Sequence, residues 1–261
     1  MTDVEIIILG CGNSAGVPAI TNWWGNCDPE NPKNRRTRPS IALKSENTTV
    51  IIDTGPDFKE QYNRENLSPP GGIIYTHMHA DHTAGIDELR NIKRLTKQTF
   101  KIYGAADTLE SLKMRYEHMF KESESGFYKL VCEPHEVKNN DVLSIGDIQF
   151  KVFEQDHGTI TSLGLRIGDL GYSTDMKHLD DNAYDVLKGI KVWIVDAAGY
   201  QHPANPVHAS IEEVVAMNER IGAEEVYLTH LPPTMDYASI EKELPDGFFM
   251  AYDGLRFKTT L

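Results

Sequence analysis

The run Tyr75-Thr76-His77-Met78-His79-Ala80-Asp81-His82 places three imidazoles and one carboxylate in the six positions from His77 to His82, directly after an apolar stretch. Imidazole and carboxylate are donors that zinc, manganese and iron accept in catalytic sites, and no cysteine stands nearby in the chain to make a thiolate-held structural zinc. If the apolar stretch is a strand, the chain turns at its end. His77 and His79 then converge on one ion while Asp81 and His82 reach a second. Two divalent ions roughly 3.5–4 Å apart lower the pKa of a shared water from about 15.7 towards 7, which supplies a nucleophile at neutral pH. The spacing therefore predicts metal-assisted hydrolysis at a centre of two divalent ions, Zn2+ or Mn2+, with Fe as a further option.

Such a cluster needs rigid elements beneath it. Short β-rich runs recur at Glu5–Leu9, Thr49–Asp53, Gly72–Thr76, Lys101–Tyr103, Ile148–Phe153, Leu163–Ile167, Lys191–Val195 and Glu225–Thr229. Helices are expected over Thr83–Lys97, Ala106–Phe120, Ser210–Ile221 and Tyr237–Leu244. Ser210 stands as an N-cap ahead of the acidic Glu212 and Glu213. Strands outnumber helices in both halves, and no repeat and no low-complexity linker is visible. This pattern suits two helix-covered sheets in an α/β fold, read as one domain over residues 1–261, because 261 residues with 40% hydrophobic content support one large core.

Composition narrows the function. With 39 acidic against 26 basic residues the formal charge is −13, which repels polyanions and argues against general nucleic-acid binding or an anionic membrane surface. No apolar stretch approaches the roughly 20 residues that span a bilayer. Cys11, Cys27 and Cys132 are odd in number and widely spaced, which suits a reducing, cytoplasmic compartment better than a disulfide framework. Lys33, Arg35, Arg36 and Arg38 form the one dense basic run, placed either to focus an anionic substrate, with Arg35 and Arg36 as its contacts, or as a solvated loop. The glycine-rich segment Gly10–Gly16 lets backbone approach a phosphate at Asn13 and Ser14, although a tight turn explains it equally well. His118, His135 and His178 stand singly and read as ordinary surface or core residues.

The pattern H-x-H-x-D-H after a strand resembles the signature of the metallo-β-lactamase superfamily. That resemblance implies a four-layer αββα sandwich and three further ligands in chain order: His157 in Asp156-His157-Gly158, Asp175 in Ser173-Thr174-Asp175, and His230 in Leu228-Thr229-His230. It would assign His77, His79 and His157 to one metal, and Asp81, His82 and His230 to the other. Asp175 would bridge them, and Asp81 would count as catalytic as well as metal-binding. Asp53, at the end of Val50-Ile51-Ile52-Asp53, resembles the family aspartate that orients the metal loop without binding metal. The segments Gly10–Pro18, Trp24–Pro29, Asn31–Ser40 and Gly85–Arg90 are similar to the phosphodiesterase branch typified by PhnP. By that similarity His208, in Pro206-Val207-His208-Ala209-Ser210, stands where a general-acid histidine is expected, with His202 close by as an alternative. PhnP carries a second zinc site on closely spaced cysteines, whereas only Cys27 occupies that region here, so no structural zinc is expected.

The resemblance implies attack of an activated water on phosphorus and a proton for the departing alkoxide from His208. The expected partner is a small cyclic or nucleotide-like phosphodiester, of the 2′,3′-cyclic nucleotide or cyclic ribose phosphate type; a homodimer is compatible with the sequence. Two other readings share the ligand pattern. One is ribonuclease Z-like processing of transfer RNA, for which no protruding basic arm is evident. The other is a non-hydrolytic accessory protein like those of pyrroloquinoline-quinone biosynthesis.

Overall fold

The chain builds the first sheet from β1 (Asp3–Gly10), β2 (Ser40–Lys44), β3 (Thr49–Ile52), β4 (Gly72–Ile74), β5 (Phe100–Gly104) and β6 (Cys132–Glu136). The second takes β7 (Val142–Ile145), β8 (Ile148–His157), β9 (Ile160–Ile167), β10 (Leu170–Ser173), β11 (Val192–Asp196), β12 (Glu225–Thr229) and β13 (Phe248–Met250), after which β14 (Arg256–Thr260) returns to the edge of the first. The computed structural model describes residues 3–260. Helices are α1 (Phe58–Arg64), α2 (Ala80–Thr83), α3 (Leu89–Thr96), α4 (Ala106–Arg115), α5 (Glu117–Phe120), α6 (Asp181–Leu187), α7 (Ile211–Ile221) and α8 (Tyr237–Ile240). Two seven-stranded sheets flanked by helices make an α/β sandwich, as the resemblance implies. Among the described residues no helix is long and apolar enough to cross a membrane.

The side-chain period of two explains why the central strands are apolar without interruption. Along β1, Ile6 and Ile8 enter the core between the sheets, while Ile7 and Leu9 enter the layer under α1, α3 and α4. In β3, Val50 and Ile52 likewise face one core and Ile51 the other. A one-residue slip of such a strand would exchange the side chains of the two cores, so its register rests on packing fit and not on polar–apolar alternation.

The two sheets repeat one topology. From β1 to β6 the neighbours pair antiparallel twice and then parallel three times, and β8 to β13 do the same. The repeat is one of backbone pairing order and has no counterpart in the amino-acid sequence. Other differences are local. The helix expected over Thr83–Lys97 begins earlier, at Ala80, and breaks where the Gly85 N–H turns to the Thr54 carbonyl (2.8 Å). The one expected over Ala106–Phe120 divides at Tyr116, whose backbone is non-helical (φ −128°, ψ 42°). Tyr237–Leu244 is helical only to Ile240. The short strands β2, β6, β7, β10, β13 and β14 and the helices α1 and α6 were not expected at all.

Candidate metal centre

Every residue of the cluster hangs from the C-terminal end of a strand. Beyond β4, Tyr75 and Thr76 lead to His77, and His79 then stands at the first position before the single turn α2, which carries Asp81 and His82. His157 ends β8, Asp175 lies just past β10, and His230 directly follows β12. Asp53, Asp175 and His230 all have left-handed backbones (φ 64°, 48° and 59°), a conformation that costs non-glycine residues energy and that the surrounding packing must enforce.

Among the described residues the side chains form three overlapping groups whose donors could hold a metal ion, two of them sharing Asp175 and the third made of Asp196, His208 and His230. His77, His79, His157 and Asp175 bring one donor atom each to within 4.8 Å of one another, and so do Asp81, His82, Asp175 and His230. Asp175 belongs to both. Its Oδ2 faces Nε2 of His77 (3.7 Å) and His157 (3.6 Å), and its Oδ1 faces Nε2 of His82 (3.1 Å) and His230 (3.3 Å). Asp81 Oδ2 lies 3.4 Å from Nε2 of both His82 and His230.

The outward nitrogens fix the inward ones. His157 Nδ1 donates to the Val207 carbonyl (2.8 Å) and His82 Nδ1 meets Asp53 Oδ2 (2.7 Å). Asp53 also accepts the Thr76 amide and hydroxyl (2.8 Å each), so the Thr76 oxygen is left to accept from His77 Nδ1 (3.0 Å). These bonds hold the proton on Nδ1 and turn the Nε2 lone pairs inward, the arrangement that metal-binding histidines need. Nε2 of His77 and of His82 are buried and have no hydrogen-bond partner, which would be costly in a site built to stay empty. The donor set thus fits a divalent ion.

Protonation follows the same geometry. Burial, helped by His82, holds His77 well below its ordinary pKa and therefore neutral. Burial opposes ionisation of Asp175, but His230 and His82 outweigh it and keep the carboxyl well below its ordinary value. Burial would likewise lower His230, yet Asp175 and Asp81 push it up to about 9. His82 rises for the same reason, through Asp175, Asp53 and Asp81.

His208 stands beside this cluster, its ring 4.8 Å from that of His230 and 5.1 Å from that of His157. Its Nδ1 is held by Asp196 Oδ2 at 2.6 Å, and that carboxylate also accepts the Met176 and Ala198 amides. Asp196 was missed in the sequence, although it ends the apolar run Val192-Trp193-Ile194-Val195 just as Asp53 ends its own. His202 is exposed and belongs to none of these groups.

The basic run divides. Arg36 is a correction: it is 1% exposed and spends its guanidinium on Asn34 Oδ1 (3.0 Å) and the carbonyls of Met235 (2.8 Å) and Pro232 (3.4 Å), so it braces the segment after His230 and cannot reach a substrate. Cys27 braces the same segment through Pro233 O and Met235 O (3.3 Å each). Arg35 is exposed over the Trp24 ring, and Lys33 is bound to the Tyr237 hydroxyl. Asn13 donates its amide to Leu231 O (3.2 Å), beside His230, and Ser14 is exposed at the tip of that turn.

A family model for the β-lactamase superfamily domain matches residues 48–231. An octanoyltransferase of Porphyromonas gingivalis is 28% identical over 259 residues, which is 97% of this chain and 51% of that protein. A ribonuclease Z of Thermococcus kodakarensis is 29% identical over 138 residues, 51% of this chain and 41% of the enzyme. The chain thus spans about half the length of these curated relatives, or less. The crystal structure of a diphosphatase from the PhnP family superposes with a TM-score of 0.87 at 29% identity, covering 99% of this chain and 98% of that one.

Proposed function

The chain belongs to the metallo-β-lactamase superfamily; from that premise we propose that it is a metal-dependent hydrolase of the PhnP-like branch, a phosphodiesterase with a two-metal centre acting on small cyclic or nucleotide-like phosphodiesters. The observation that carries this reading is the position of Asp175, one oxygen towards each histidine group. A bridging carboxylate is the natural link between two ions.

In this reading His77, His79 and His157 hold one ion, Asp81, His82 and His230 the other, and Asp175 both. Ions bound there supply Lewis acidity and an activated water. The residues of the chain do the rest. Asp53 and Thr76 set the tautomers of His82 and His77. Asp196 accepts the Nδ1 proton of His208 and so orients its ring, leaving Nε2 to give a proton to the departing alkoxide, which would otherwise leave as a strong base. The likeness to a diphosphatase over nearly the whole of both chains favours phosphorus over the acyl and lactam substrates that this fold also serves.

The test is a substrate panel on protein whose metal content is known by elemental analysis: 2′,3′-cyclic AMP, bis(p-nitrophenyl) phosphate and precursor transfer RNA. Turnover of the first two is expected. Trimming of the RNA alone would replace this reading with ribonuclease Z-like processing, and no turnover of any by fully metallated protein would favour an accessory role.

A further inference from the structure

Two arginines of the basic run keep the forked end of the guanidinium free of hydrogen-bond acceptors among the described residues: Arg35, exposed over Trp24, and Arg38, which differs in being anchored by a carboxylate. Asp57 Oδ2 accepts the Arg38 amide (2.8 Å) and pairs with Nε (2.9 Å), so one carboxylate fixes both the backbone and the inner edge of the side chain. Among the described residues neither Nη1 nor Nη2 has a hydrogen-bond acceptor, while the side chain remains 24% exposed. A guanidinium held by Nε alone presents two parallel N–H groups outward, the geometry that matches two oxygens of a phosphate.

Its surroundings place it on the rim of the metal cluster. A Cβ added to Gly55 would meet Asp81 O at 2.1 Å and Arg38 Cβ at 3.3 Å, so this glycine packs against the segment of one candidate ligand and the root of the arginine together. On the other side, a Cβ on Gly16 would come within 3.0 Å of Arg38 Nη1. Gly16 (φ 68°) closes the turn that begins at Asn13, and Asn13 bonds to Leu231, next to His230. Arg38 therefore lies in the gap between the segments that carry Asp81 and His230.

We propose that Arg38 is a specificity-determining residue, forming a second anion subsite that takes a phosphoryl group adjacent to the scissile one. The preferred substrate is then a diester of diphosphate with one phosphoryl at the metal cluster and the other on the Arg38 fork. This rests on the phosphodiesterase reading and narrows it. A single-phosphate diester fills only the first position. Charge-assisted hydrogen bonds are worth ~1.5–3 kcal/mol, so the fork is expected to favour the diphosphate by about tenfold to a hundredfold.

The experiment compares kcat/KM for P1,P2-diadenosine diphosphate and bis(p-nitrophenyl) phosphate. In Arg38→Gln the ratio of the two is expected to fall about tenfold to a hundredfold, mostly through KM for the diphosphate. Arg38→Lys keeps a charge without the fork and should recover part of the ratio; Gly16→Ala, which displaces Nη1, should lower it. A separate calorimetric arm measures binding of methylenediphosphonate and methylphosphonate, which needs no turnover. Wild type is expected to favour the former and Arg38→Gln to lose that preference. If wild type binds the two alike, or if the ratio in Arg38→Gln stays at the wild-type value, the subsite is wrong and the phosphodiesterase reading is untouched. If wild type cleaves neither ester yet prefers the diphosphonate through Arg38, the subsite stands and the reading beneath it fails.

Discussion

Asp175 and His208 have separable duties, and substitution should separate them. Asp175 touches both histidine groups, so Asp175→Asn is expected to reduce bound metal below that of the parent, which elemental analysis after gel filtration would register. His208 bonds to Asp196 and lies outside the proposed ligand set. His208→Ala should therefore keep its metal while losing about 10²–10⁴-fold in kcat with alkyl leaving groups, and far less with p-nitrophenolate, which needs no proton. Asp196→Asn should follow the same pattern in milder form; metal loss in either variant would return these residues to the ligand set. The raised pKa of His230, about 9, and of His82 sets the sign of a pH effect. Below those values the metal-free imidazoles carry protons that an incoming ion must displace, so metal uptake should release protons at pH 7 and apparent affinity should rise with pH towards 9. Calorimetric titrations in two buffers of different ionisation enthalpy measure that release directly.

Elements matter here chiefly for how they end. His208 sits on the loop between β11 and α7, and Lys177 ties that loop down. Its ammonium is buried and donates to both oxygens of Glu213 (2.6 and 2.7 Å) and to the Pro203 carbonyl (2.9 Å). Glu213 in turn completes a capping box with Ser210 at the start of α7. Lys177→Met is expected to cost about 2 kcal/mol, because it leaves Glu213 and a carbonyl without a charged donor. Urea denaturation would show the loss, and slower turnover at unchanged metal content would show the loosened loop. The structure adds the return bond from Glu213, and the N-cap at Ser210 with acidic residues in the following turn was legible in the sequence. The Lys177 contact was not. It joins residues 36 positions apart, and local pattern carries no record of such a pair.

At the scale of the whole molecule the cluster lies between two copies of one topology. His77, His79, Asp81 and His82 come from the first half, and His157, Asp175 and His230 from the second. The halves even share a device: Ser40 Oγ donates to the carbonyl of left-handed Asp53, and Ser162 Oγ to that of left-handed Asp175 (2.8 Å each). Ions held at this seam would bind the folded chain only, and at a hundred times the dissociation constant each site adds ~2.7 kcal/mol. Chelation is thus expected to lower Tm by about 5–10 °C per site, read by differential scanning calorimetry, and re-addition of metal to restore it. Sequence by itself determined the dense motif His77–His82 and the apolar runs of the fold, because these depend on residue type and short spacing, while His157, Asp175 and His230 entered through the family resemblance. Tertiary structure alone decided that Asp196 serves His208, that Arg36 turns inward while Arg38 keeps its fork free, and that Asp175 faces both groups. Each of those depends on where separate strand ends meet in space, and the direction of a long side chain is set by the partners it finds there.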